Sequence, residues 1–491
     1  MKIAIVGSEA YPFSKTGGLG DVTGSLFREF QKMGHDVYLF TPLYRCTIEN
    51  FGHNIEKISL EFDIPLGRDI KHCKIYTYSK ELEGSPQLRR DPSKNIFFIG
   101  NDEFFNRQDL YEDQSGAYSD NDARFAFFCK GVIELIKVME LRLDIIHCND
   151  WQTGLIPLYL KTLYLDSEFF RDTRTVFTIH NIAYQGLFTP ASLELLGLGM
   201  EFLNPEGIEF YGNISYLKAG ILWSDVITTV SNSYAREILT PEFGFGMEGV
   251  LNKRSQSLLG IPNGIDYTEW NPASDPNLPY SYTRAKLTGK MECKRELIKR
   301  CAFKDEIDKP LFAFVGRLSY QKGLDLLISS LTESIMRDLN LVIIGKGEEQ
   351  YKRLLSYLKS RFPEKIFFYN GFDESLAHLT YAGSDVFLMP SRYEPCGIGQ
   401  MIAMRYGTIT IGRKTGGLSD TIEDGRTGFL FEEFSREALT MAIKIALNTF
   451  KFKKLWIEMI KDSMSRDFSW KKSAQKYLTL YSDIRHERQL S

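Results

Sequence analysis

Lys15-Thr16-Gly17-Gly18-Leu19-Gly20-Asp21 follows a short apolar run, Ile3-Ala4-Ile5-Val6, and leads into a helical pattern through Val22, Leu26 and Phe30. Strand, glycine-rich turn and helix in that order make the first half of a βα repeat. Two adjacent glycines let the backbone approach a ligand closely, and they point free amides outward at a helix N-terminus, where an anion is favoured. Lys15 adds a mobile positive charge. The spacing is not the phosphate loop G-x-x-x-x-G-K-[ST], and no G-x-G-x-x-G follows Val6. Two readings stand: a phosphate site of another kind, or a glycine-rich turn that simply starts a helix.

Working outward, the βα alternation continues. Strand patterns fall at 2–6, 37–40, 95–99, 144–147, 175–179 and 225–230, with helical periodicity between them, clearest over 124–139. The pattern restarts at 311–315, 341–344, 366–369, 385–389 and 408–411. Between the sets lies a strand-poor stretch rich in Pro and Asn, 262–310. The expected fold is α/β, with two doubly wound Rossmann-like domains, 1–260 and 261–471. A terminal helix over 472–491 is expected to cross back onto the first. Ligands of such sheets sit at strand carboxyl ends, so a deep cleft between the domains is the expected site.

Composition narrows the classes. At 491 residues the chain is too long for one ordinary domain. A net charge of -3 gives no support to nucleic-acid binding. The seven cysteines are scattered, odd in number and form no C-x-x-C, which suits reduced thiols. No signal-peptide core follows Met1-Lys2, and no apolar run reaches the length of a membrane span. A cytoplasmic protein without membrane or nucleic-acid partners is expected.

Polar clusters end several strands. His147-Cys148-Asn149-Asp150-Trp151 and His180-Asn181 follow two of them, beside the glycine loop. In the second set, Gly316-Arg317-Leu318-Ser319-Tyr320-Gln321-Lys322 follows a strand. Arg317 and Lys322 read as a clamp on a diphosphate, opposite Lys15. Ser391-Arg392-Tyr393-Glu394-Pro395-Cys396-Gly397 opens a helix, where Glu394 reads equally as an acidic cap. Asp120-Asn121-Asp122 is a D-x-D that reads better as a helix start than as a metal–nucleotide site. Lys414-Thr415-Gly416-Gly417-Leu418-Ser419-Asp420 repeats the opening stretch in its Thr-Gly-Gly-Leu-x-Asp core.

Together these stretches resemble the bacterial glycogen synthases and plant starch synthases. The resemblance rests on K-T-G-G-L-G-D at 15–21, H-C-N-D-W-Q at 147–152, H-N-I-A-Y-Q-G at 180–186 and Y-G-N-I-S-Y-L-K-A-G-I at 211–221. P-N-G-I-D at 262–266, G-R-L-S-Y-Q-K-G at 316–323 and S-R-Y-E-P-C-G at 391–397 extend it over nearly the whole chain. It implies the two-domain GT-B fold and metal-independent transfer of glucose from ADP-glucose to the non-reducing 4-OH of an α-1,4-glucan, with retention and without a cofactor. It also implies site residues. His180, Arg317, Lys322 and Glu394 take the catalytic positions. Lys15, Gly17, Gly18, Cys396 and Gly397 join Arg317 and Lys322 around the donor. Asp21, Asp150, Asn181, Thr415 and Gly416 fall on positions of secondary role. No metal ligand is implied.

The chain departs from the pattern at Gly399, where Thr is frequent, at Ile402, where the wider glycosyltransferase pattern has a second Glu, and at Asn149, where His is usual. The intact cation and His–Glu set nonetheless points to an active enzyme. The alternatives are another donor such as UDP-glucose, a glucan-binding scaffold on a decayed enzyme fold, and a nicotinamide-dependent oxidoreductase. The last lacks its glycine fingerprint.

Overall fold

The computed structural model describes residues 1–79, 95–304 and 306–489. Contacts divide the chain into two compact units. One comprises Met1–Val230, Ala235–Ile261 and Trp470–Ser491; the other comprises Ser231–Tyr234 and Pro262–Ser469.

The first unit is built on a nine-stranded sheet. Its order is Leu258–Gly260, Val226–Thr229, Arg174–Ile179, Ile145–Asn149, Lys2–Val6, Asp36–Pro42, Ile96–Gly100, Asp69–Tyr78 and Ile55–Leu66. The first seven strands are parallel, and apart from the edge strand Leu258–Gly260 their apolar runs are largely buried, as strands covered on both faces must be. Asp69–Tyr78 and Ile55–Leu66 add an antiparallel hairpin at one edge. The periodicity reading did not contain this hairpin. Its outer strand alternates half-buried with exposed residues, so it lacks the continuous apolar run that marks the central strands.

The strand order reverses between Lys2–Val6 and Ile145–Asn149, which are neighbours. The carboxyl ends of strands at such a reversal are the usual ligand position in open α/β sheets. The helix Gly18–Lys32 buries Leu19, Val22, Leu26, Phe27 and Phe30. That spacing makes one apolar stripe, each large side chain stabilising by roughly 1.5–3 kcal/mol. The terminal helix Trp470–Gln489 joins the same core through Trp470, Ala474, Tyr477 and Tyr481. The Tyr481 hydroxyl hydrogen-bonds His147 Nδ1 at 2.7 Å.

The second unit carries a six-stranded parallel sheet in the order Ile366–Asn370, Asn340–Gly345, Leu311–Val315, Val386–Met389, Ile409–Arg413, Gly428–Phe431. Here the order reverses between Leu311–Val315 and Val386–Met389. These are the strands that precede the Arg317–Lys322 and Ser391–Gly397 segments. No helix among the described residues is long and apolar enough to cross a membrane.

Candidate active site

In the first unit the organising group is one that sequence reasoning missed. Glu9 leaves the end of the first strand and is almost fully buried. Its Oε2 accepts from the Thr16 amide at 2.7 Å and the Gly17 amide at 3.3 Å. Its Oε1 accepts from Thr16 Oγ1 at 2.7 Å and the Tyr111 hydroxyl at 2.9 Å. The expectation that the Gly17 amide faces a phosphate is therefore corrected: a protein carboxylate takes it. Nothing in the spacing marks Glu9, because its partners come from positions 16, 17 and 111.

Gly17 precedes the helix that begins at Gly18, and a side chain added to Gly17 would meet nothing within 4 Å. Lys15 Nζ lies 2.7 Å from Asp21 Oδ1, one turn into the helix, with the Lys15 side chain 44% exposed. Burial raises the Asp21 carboxyl above its ordinary range, and the Lys15 charge opposes that rise. Lys15 is thus held at the first turn of the helix by a partner within its own motif.

The two histidine clusters meet beside this loop's strand. Asp150 Oδ1 accepts from the His180 amide at 2.8 Å, and Asn149 Oδ1 lies 3.0 Å from His180 Nε2. Asn149 Nδ2 donates to the Val6 carbonyl, so its oxygen is the acceptor and the proton of His180 sits on Nε2. Burial lowers His180 to about 3 and pushes Asp150 up to about 7. His180 is therefore a neutral imidazole near neutral pH. Asp150 holds φ +58, a strained conformation for a residue with a side chain. Asn181 turns its side chain back to the Ala183 amide, which shapes the loop. Asn149 replaces the usual His without leaving a gap, tying Val6 to His180.

Asp120 and Asp122, the carboxylates of the D-x-D, go to separate partners: Asp120 to Arg107 as an ion pair, and Asp122 to the Ser192 hydroxyl at 2.6 Å.

In the second unit, Lys322 Nζ lies 2.5 Å from Glu394 Oε2, and the Ser391 hydroxyl donates to the same oxygen at 2.8 Å. Two predicted groups 72 positions apart are thus brought into one ion pair across the neighbouring strand ends. Glu394 does not cap the helix Gly399–Arg405; its carboxylate is committed to Lys322. Arg317 is exposed on the segment after its strand.

Arg392 staples these two loops. Its guanidinium lies 3.8 Å from the Tyr320 ring centroid and 4.1 Å from that of Phe434, and it pairs with Asp325. The Arg392 amide donates to the Gln321 carbonyl at 2.9 Å. Stacking of a guanidinium between two rings stabilises by roughly 0.5–2 kcal/mol per ring. No sequence signal marks Phe434, which reaches the loop only through the fold.

The other residues expected around the donor, and those of secondary role beside them, are closely packed. Cys396 buries its thiol, and burial pushes it up to about 12. Gly416 and Gly417 admit the neighbouring backbone: added Cβ atoms would lie 2.0 Å from the Glu394 carbonyl and 1.8 Å from the Cys396 carbonyl. Thr415 is buried, and its carbonyl accepts the Leu418 amide. Gly397 keeps φ +69, with Gln400 packed where a side chain would be. At Gly399 an added Cβ would press on Phe387 at 3.1 Å, so the space of the frequent Thr is filled by a ring.

Two doubly wound units, each gathering polar loops at the switch point of its sheet, match the architecture of the GT-B glycosyltransferases. The family model for the starch synthase catalytic domain matches residues 2–253, and that for glycosyl transferases group 1 matches 298–462. The chain belongs to the family of bacterial glycogen synthases and starch synthases. It is 47% identical to a glycogen synthase of Thermodesulfovibrio yellowstonii, over 100% of this chain and 99% of that one. It is 45% identical to one from Geotalea daltonii, over 98% of each. Among solved structures it is similar to the catalytic domain of starch synthase IV from Arabidopsis thaliana bound to ADP and acarbose. There the TM-score is 0.88 with 32% identity, covering 99% of each chain.

Proposed function

We propose that the chain elongates an α-1,4-glucan, moving glucose from ADP-glucose to the non-reducing 4-OH with retention of configuration. The observation that carries the reading is the Lys322–Glu394 pair at the switch point of the second sheet. A cation fixed there by a buried carboxylate is preorganised to meet the charge that grows on a leaving diphosphate. Such preorganised electrostatics is commonly the largest catalytic term. Arg317 supplies a second, exposed cation on the same loop.

Retention by a double displacement needs a free carboxylate as nucleophile. Glu9 and Glu394 are each taken up by donors, and Asp150 is turned to backbone amides. These commitments favour departure and attack on one face. The glycosyl–oxygen bond breaks toward the diphosphate, the glucan hydroxyl attacks the anomeric carbon, and its proton passes to the leaving phosphate oxygen. His180, neutral with its proton on Nε2, donates to Asn149 and leaves Nδ1 as an acceptor for a sugar hydroxyl. The diphosphate charge is met by side chains, so the reaction as proposed uses neither metal nor cofactor. All seven cysteines are unpaired thiols, which suits the cytoplasm.

The test is incorporation of labelled glucose into glycogen from ADP-glucose, with UDP-glucose alongside, for wild type and Lys322→Ala. We expect ADP-glucose to be preferred and kcat to fall about 10²–10³-fold in the variant. Near-normal turnover by Lys322→Ala sinks the assignment. Glycogen binding without transfer from either donor makes the chain a scaffold.

A further inference from the structure

Among the described residues, five that are not glycine hold positive φ: Glu140, Asp150, Tyr211, Phe245 and Ala302. Tyr211 and Phe245 form a pattern of their own. Each is an aromatic residue followed by a glycine that is also at positive φ, Gly212 at +81 and Gly246 at +85. Tyr211-Gly212 is the two-residue turn of the hairpin Glu209–Phe210 and Asn213–Ser215. Asn, Asp or Gly suits the first place of such a turn; a tyrosine there is strained. The strained conformation nevertheless places a ring that is 80% exposed, with Phe245 42% exposed.

The two turns touch. A Cβ on Gly246 would sit 3.0 Å from both the Phe210 ring and the Tyr211 ring, so the second turn closes against the first. Phe210 braces Tyr211 edge-on, with centroids 4.7 Å apart at 86°. The patch is continuous with the His180 loop. Gln185 Nε2 donates to the Phe245 carbonyl at 2.9 Å, and the strand Leu187–Phe188 that follows the loop pairs with the hairpin. Tyr184 on that loop is itself half exposed.

We propose that Tyr211 and Phe245 form a stacking platform for the glucan acceptor, seating glucose units of the chain that leads away from His180. The proposal rests on the functional reading above and specifies which side chains hold the polymer. The apolar faces of glucose stack on aromatic rings, and a neutral glucan asks for no charge. A rigid ring held by strained backbone loses little freedom when sugar docks on it.

The test uses the full chain with Tyr211→Asn, Phe245→Asn and Tyr211→Phe. Asn suits positive φ, so the first two keep the turns while removing the rings, and melting temperature checks this. Mobility in native gels cast with glycogen reads binding without any donor, so it stands even if ADP-glucose proves the wrong substrate. We expect each Asn variant to weaken glycogen retardation and raise KM for glycogen about fivefold, with KM for ADP-glucose unmoved and Tyr211→Phe unaffected. Wild-type retardation in both Asn variants overturns the proposal. So does a change of oligomeric state without a change in glycogen binding, which would make the patch a protein contact.

Discussion

The chain contains Thr-Gly-Gly-Leu twice, at 16–19 and 415–418, each time at the start of a helix that follows a strand. The two copies do opposite things. At the first, Gly17 faces open space and the loop is braced from behind by Glu9. At the second, Gly416 and Gly417 face backbone carbonyls of Glu394 and Cys396, and the Gly417 amide donates to the Glu394 carbonyl at 3.0 Å. One pair of glycines keeps a surface open; the other lets the loop that carries Glu394 lie directly on a helix start. A glycine pair says only that something approaches closely, and the fold decides whether that is a ligand or the chain itself.

The largest expected effect separates these uses. Gly417→Ala forces a carbon against a carbonyl oxygen that has no flexible end to move, which should cost about 3 kcal/mol or more and displace Glu394. Gly17→Ala, at extended φ with open space before it, should stay within about 0.5 kcal/mol of wild type. Thermal unfolding of the two variants measures both. Equal losses would erase the contrast.

A smaller effect sharpens the account of the first copy. Two backbone amides and two hydroxyls donate to the Glu9 carboxylate, so Glu9→Gln removes the charge and turns an amide NH₂ toward hydroxyls that must reorient to accept it. A loss of about 1–3 kcal/mol is expected, with a raised KM for ADP-glucose. Unchanged stability and KM would mean that Glu9 does not shape the loop.

A further effect is in pH dependence. Asp150, at about 7 when folded, binds its proton more tightly there than unfolded, where carboxyls titrate near about 3.9. Its contribution is present below about 4 and is lost as pH rises through 7. His147 and His180, lowered to about 3, act oppositely: their contribution is complete above about 6.5 and drains away as pH falls toward 3. Asp150→Asn should therefore gain melting temperature relative to wild type at pH 8 but not at pH 5. A gain that is the same at both would remove the carboxyl from the account.

Much of the fold was legible because central parallel strands are short continuous apolar runs that need no partner to be recognised. The edge hairpin and the strand Leu258–Gly260 were not, being half-exposed or very short, and Gly428–Phe431 was not, because it opens on a glycine within a polar turn. At the site, Lys322 and Glu394 could be read because each follows a strand in a dense local motif. Glu9, Ser391 as a donor to Glu394, Arg392 between its two rings, and Phe434 could not, since their work is done by partners distant in sequence or hidden inside a motif. The glycines at 416 and 417 were legible as glycines, but their purpose was not.

The most direct measurement compares the lysine that precedes each copy. Lys15 pairs with Asp21 inside its loop, and Lys414 pairs with Glu432 on the surface. Glucose transfer from ADP-glucose into glycogen should fall about 10²-fold or more in kcat/KM for Lys15→Ala, and stay within about twofold of wild type for Lys414→Ala. Equal losses in both variants, or none in Lys15→Ala, would contradict the assignment of the open loop to the donor.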